Sequence, residues 1–108
     1  LCPTGRVPSV GADGMVWAVA TAGGQGRTVA EQTIATLRAL DSNLAVAGAS
    51  THSILDATVY LSDIATQAEM DAVWNEWIPA GAWPCRACVG VDLAPGDLVE
   101  IKVAALSG

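Results

Sequence analysis

Positive charge is scarce in this chain. Arg6, Arg27, Arg38, Arg86 and Lys102 stand against eleven carboxylates, for a formal charge of −6. No basic stripe exists to follow a phosphate backbone, which argues against nucleic acid as a partner. Long apolar runs are missing as well. None approaches the roughly 18 residues of a membrane span, so no membrane partner is expected. Cysteine occurs three times, at Cys2, Cys85 and Cys88. That odd, small number suits a reducing cytoplasm better than a disulfide-built secreted domain. The chain contains no internal linker, low-complexity tract or solenoid repeat. It begins at Leu1 rather than Met, so an upstream piece is expected, and nothing in its place reads as a signal peptide.

What is present is largely apolar. Apolar residues make up 52% and charged ones 15% of the 108 residues, a balance that excludes disorder. The length predicts one domain over residues 1–108, burying about two-thirds of its unfolded surface.

Val7 to Val10 and Met15 to Val19 read as two strands joined by the Gly11-Ala12-Asp13-Gly14 turn. A glycine-rich loop, "TAGGQGR", follows. Thr28 and Glu31 form a capping box, and Ile34, Leu37, Leu40 and Leu44 keep helical spacing up to Gly48. Ile54 to Leu61 is a third strand. Thr66 and Glu69 predict a second capping box, opening a helix with an apolar stripe of Met70, Trp74, Trp77 and Ile78 that Pro79 stops. Arg86 to Asp92 and Leu98 to Ala105 complete the set, joined by a turn at "APGD". The order ββαβαββ is an α+β plan, with two helices on one face of a sheet.

Several of these strands are apolar on both faces. Met15, Trp17 and Val19 alternate with Val16, Ala18 and Ala20. Two helices cover one face only, so the other is expected to meet another subunit.

Cys85 and Cys88 raise the question of redox or metal chemistry. In a strand, residues three apart point to opposite faces and lie ~10 Å apart, beyond disulfide reach. Redox C-x-x-C motifs open helices, and here no helix follows. A zinc site would have to recruit Cys2 and the lone His52, a scattered set. Both thiols therefore read as small, half-buried residues. "GGQGRT" lacks the P-loop lysine and follows a hairpin, so it reads as a flexible connector. Asp56 and Tyr60 share a strand face, Trp74 and Trp77 read as core, and Asp63, Glu69 and Glu76 read as a solvated surface.

Arg86 is the exception. A guanidinium at the start of an apolar strand is costly unless an anion meets it. That anion is either internal, with Glu100 or Asp92 as candidates, or a ligand.

Four stretches point further. "RACVGVDLAPGDLVEIKVAAL" resembles the C-terminal signature of the YjgF–Rid family, the reactive intermediate deaminases (endoribonuclease L-PSP-like), with its Arg-x-Cys-Val and Val-Glu-Ile strands. "EQTIATLRALDSNLAVAGAS" resembles the family's first helix, "ILDATVYLSDI" its Thr-Val-Tyr-Leu strand and "MDAVWNEWIP" its second helix. The resemblance covers nearly the whole chain from about Met15 and implies a chorismate-mutase-like fold. It also implies a homotrimer, with sheets packed into a central barrel and ligand clefts between subunits. The implied activity is hydrolysis of a 2-imino or enamine carboxylic acid to a 2-oxo acid and ammonia. By motif, Arg86 would hold the carboxylate of this small ligand, Cys88 would line the pocket and Glu100 would position the attacking water. A C=N bond is already electrophilic, so no cofactor or metal is expected.

The chain departs from the family pattern around that anchor. Asp71 stands where members often carry a ligand-contacting Asn and would oppose an anionic substrate. Val19 and Ala20 replace a Ser-Gly pair, and Thr21 is the candidate to restore the lost hydroxyl. The family's N-terminal tyrosine has no clear counterpart, Arg6 lying nearest. These departures keep a second reading open: a non-catalytic trimer that binds small carboxylates in a regulatory or scavenging role. A ribonuclease activity, sometimes attached to the family, is opposed by the −6 charge.

Overall fold

The computed structural model describes residues 5–108. Asp13 and Gly14 both take positive φ, 53° and 80°. This is the type I′ geometry that joins twisted antiparallel strands with two loop residues. Pairing therefore runs right up to the turn, and β1 is Ser9–Ala12, two residues later than expected, with β2 at Met15–Thr21. Helix α1 spans Val29–Val46, β3 Ile54–Leu61, α2 Gln67–Trp77, β4 Cys85–Gly90 and β5 Val99–Leu106. The five strands form one sheet in the order β1-β2-β5-β3-β4, with β3 and β4 parallel and the other pairs antiparallel. The fold is α+β, as expected. Among the described residues, no helix is long and apolar enough to cross a membrane.

Strand periodicity sorts the side chains. Val16, Ala18 and Ala20 of β2, Ala57, Val59 and Leu61 of β3, and Ile101, Val103 and Ala105 of β5 are buried beneath the helices. Leu37, Leu40 and Leu44 of α1 and Met70 and Trp74 of α2 meet them, whereas Ile34 is 42% exposed. The described residues leave the opposite face uncovered: Val10 is 52%, Trp17 39%, Val89 42% and Leu106 46% exposed.

The first capping box forms. Thr28 Oγ1 accepts from the Glu31 amide at 3.1 Å, and Glu31 Oε1 accepts from the amides of Arg27 and Thr28 at 2.9 and 3.2 Å. Those backbone donors, Arg27's foremost, hold the Glu31 carboxyl below its usual range. A depressed folded-state pKa stabilises the protein above the unfolded value, and that contribution disappears as pH falls through the folded one. The stability gap between wild type and Glu31→Gln should therefore be widest at neutral pH and close in steps below about pH 4, in urea titrations at each pH.

The second capping box does not form. A 3₁₀ turn, Ile64–Thr66, precedes α2 and pulls Thr66 out of the extended cap conformation, to φ −90° and ψ 7°. Asp63 caps that turn instead, accepting from the Ala65 amide at 3.0 Å. Glu69 is exposed, as expected, and also accepts from the Ala30 amide at 2.8 Å, joining α2 to the start of α1.

The glycine-rich loop is pinned rather than free. Gln32 is 4% exposed, donates to the carbonyls of Gly26 and Gly96 at 3.2 and 2.9 Å and accepts from the Leu98 amide at 2.8 Å. Gly26, at φ +95°, leaves no room for a Cβ, which would lie 2.9 Å from that of Glu31.

Candidate functional site

Arg86 lies across from Ala57 and Cys88 across from Val59 in the parallel β3–β4 pairing. Both partners are buried under the helices, so Arg86 and Cys88 face α2. There Arg86 Nη2 donates to Asp71 Oδ1 at 2.6 Å, with side chains 21% and 33% exposed. Its guanidinium carbon sits 5.1 Å from the centre of the Trp74 ring, a cation–π contact, and Nη1 approaches Met70 Sδ at 4.0 Å. Trp74 is braced in turn against Trp77, with ring centres 5.3 Å apart. The Trp77 indole N–H donates to the Asp41 carboxylate at 3.1–3.2 Å. Trp77 is therefore anchored at the helix–helix seam, half-buried where full burial was expected.

The anion beside Arg86 is thus Asp71, and neither Glu100 nor Asp92. Glu100 pairs with Thr21 on β2 and with Tyr60 on β3. Asp56, Tyr60, Val19, Thr21 and Glu100 all belong to the face turned away from the helices, opposite Arg86. Within one chain the fold joins Arg86, Cys88 and Asp71 and separates them from Glu100, Val19 and Thr21.

A pocket of about 280 Å³ opens at the ion pair, lined by Asp71, Trp74, Asn75, Ile78, Trp83, Pro84 and Arg86. Residues 71, 74, 75 and 78 are spaced i, i+3, i+4, i+7, one face of a helix. That spacing marks Asn75 as a neighbour of Asp71, a role the sequence reading did not give it. Trp83, also unassigned before, stands at the rim and is 78% exposed. A second pocket, of about 430 Å³, lies between the β2 end and α1 and includes Thr21, Gly23, Gln25, Arg38 and Ser42. The Thr21 hydroxyl accepts from the Gly23 amide at 3.3 Å, so it steadies the loop.

The thiols behave as small side chains. Cys85 and Cys88 are free, and Cys85 is exposed on the face opposite Cys88. Burial pushes the Cys88 thiol pKa up, against the downward pull of the Arg86 guanidinium. At neutral pH it is a thiol rather than a nucleophilic thiolate, suited to a pocket wall. Among the described residues no cluster of three or more His, Cys, Asp or Glu side chains could hold a metal. Cys2, one of the ligands considered for zinc, lies outside the described residues, and His52 is exposed in the 3₁₀ turn Thr51–Ser53.

The site can present a planar fork of N–H donors, with Nη2 on Asp71 and Nη1 only weakly held by the Met70 sulfur, beside a carboxylate and an aromatic wall. Such a fork takes carboxylates in two parallel hydrogen bonds.

Comparison with known proteins agrees with this architecture. The family model described as Endoribonuclease L-PSP matches residues 11–107. The RutC family protein YoaB of Escherichia coli K12 is 42% identical over 76 residues, covering 69% of this chain and 67% of its own. The crystal structure of NMB1025 from Neisseria meningitidis, a member of the YjgF protein family, superposes with a TM-score of 0.93 at 39% identity, over 97% of this chain and 89% of that one. That of Rv2704 from Mycobacterium tuberculosis, of the YjgF/YER057c/UK114 family, gives 0.87 at 29% identity, over 95% and 87%. Matched over residues 11–107 by the family model and over 69% of its length by a relative 42% identical, this chain belongs to the endoribonuclease L-PSP family, the YjgF/RutC proteins.

Proposed function

We propose that this chain is the subunit of a homotrimeric Rid-type hydrolase acting on 2-imino or enamine carboxylic acids. Water adds to the imine carbon, its protons pass to nitrogen, and the C–N bond breaks, so imino acid and water become 2-oxo acid and ammonia. The observation that carries the reading is Arg86: a guanidinium on the family's signature strand, at the mouth of a pocket, with donors still free for a carboxylate. Cys88 stands two residues further along the same strand face, outside the residues that line this pocket. The uncovered, partly apolar sheet face supports association through that face into a trimer. Because Glu100, Val19 and Thr21 lie on the other side of the sheet, they reach an Arg86-bound ligand only from a neighbouring subunit. Glu100 then orients the attacking water across an intersubunit cleft. The free thiols suit a reducing, cytoplasmic setting.

A second reading is favoured by one specific feature. The Asp71 carboxylate already occupies Arg86, as in a protein that binds small carboxylates selectively without hydrolysing them.

The experiment is an imine-trapping assay. An amino-acid oxidase generates a panel of 2-imino acids, and semicarbazide captures whatever imine remains. The enzyme reading expects faster imine loss with the protein present, for at least one side chain. No acceleration across the panel leaves the binding protein as the reading.

A further inference from the structure

Resting on Arg86 as the carboxylate anchor, we propose that Asp71 makes this pocket selective for zwitterions. The class is 2-iminio acids, which carry a carboxylate and, two bonds from its carbon, a protonated nitrogen. Among the described residues, Arg86 and Asp71 are the only charged ones lining the pocket, and they are in contact. Their charges cancel, so the pocket offers a dipole rather than a positive site. A purely anionic ligand must either face the Asp71 carboxylate or displace it from the guanidinium, giving up the charged hydrogen bond between them. A ligand with adjacent opposite charges avoids both costs. Its carboxylate takes the guanidinium N–H groups not used by Asp71. Its N–H⁺ donates to Asp71 Oδ2, since the bond to Arg86 uses Oδ1. Trp83, Pro84 and Ile78 supply an apolar wall, and the largely exposed Trp83 leaves room for a bulky side chain.

The preference has a chemical consequence. A protonated C=N is more electrophilic than the neutral imine, and a carboxylate against its nitrogen favours the protonated form. The iminio carboxylate and water then yield the 2-oxo carboxylate and ammonium, with charge and atoms balanced.

The test compares binding of phenylalanine and phenylpyruvate, a zwitterion and an anion of one carbon skeleton. The readouts are calorimetry and quenching of tryptophan fluorescence, at one pH and with trimer formation checked. Wild type is expected to bind phenylalanine at least tenfold more tightly, and Asp71→Asn to lose or reverse that ratio. Asp71→Glu, which keeps the charge, is expected to retain the preference in direction, so a folding defect in one variant does not decide the outcome. Equal or tighter binding of phenylpyruvate by wild type, binding of neither ligand, or an unchanged ratio in Asp71→Asn overturns the inference. Arg86→Ala separates the two levels. If it weakens both ligands while the Asp71→Asn ratio is unchanged, the anchor stands and the zwitterion filter falls. If it weakens neither, both fall.

Discussion

Arg86→Ala is expected to cost at least tenfold in imine hydrolysis while leaving the protein folded. A hydrogen bond to a charged group is worth ~1.5–3 kcal/mol, and each ~1.4 kcal/mol is a factor of ten in rate. Stability should change far less. The Arg86 and Asp71 side chains are 21% and 33% exposed, so solvent screens their pair, and such pairs contribute ~0–1 kcal/mol. The Trp74 contact adds about 0.5–1 kcal/mol. Truncation to Ala keeps the backbone groups that pair β4 with β3, so the strand ladder is untouched. A large loss of rate with a small shift in urea midpoint is the signature of an anchor, and the two measurements belong on one preparation. Arg86→Lys should recover only part of the rate, because an ammonium offers no bidentate fork. Full activity in a folded Arg86→Ala protein would sink the mechanism.

Leu40→Ala should produce the opposite pattern. Leu40 is fully buried on α1, between Leu37 and Leu44, where the helix presses on the sheet. Truncation removes apolar contact and leaves a cavity that its neighbours fill only in part. The expected loss is about 2–5 kcal/mol, a large share of the total stability of a domain this size. Chemical denaturation at one fixed protein concentration checks it, since any self-association adds to the apparent stability. A loss under about 1 kcal/mol would mean that α1 can shift toward the sheet and close the gap. The carboxylate anchor on β4 should keep its affinity in whatever fraction stays folded.

The element order, the Thr28–Glu31 capping box, the stop before Pro79 and a hairpin turning within Gly11–Gly14 were legible in the chain, though the strand runs two residues further into that turn than expected. Each depends on residues within about four positions of one another, where backbone sterics and helix or strand period act directly. The same period showed that β2 carries apolar side chains on two faces, one of which the described residues leave uncovered. The four family motifs were legible for a related reason: they are local words whose spacing survives without knowledge of packing.

The partner of Arg86 was not legible, because Asp71 reaches it only after α2 has packed on β3 and β4. Glu100 is closer to Arg86 in sequence than Asp71 is. Register nevertheless places it on the far face: Glu100 pairs with Tyr60 and Arg86 with Ala57, and residues three apart on β3 point to opposite faces. Gln32 shows the same limit over a longer span. It reads as an ordinary helical polar residue, yet it holds the Leu98 amide 66 positions away. The Glu69 bond to the Ala30 amide likewise crosses two elements. Local sequence thus determined which elements form and which face of each is apolar. Tertiary packing alone decided which polar groups meet, because a buried donor or charge pairs with whatever the register brings within about 3 Å.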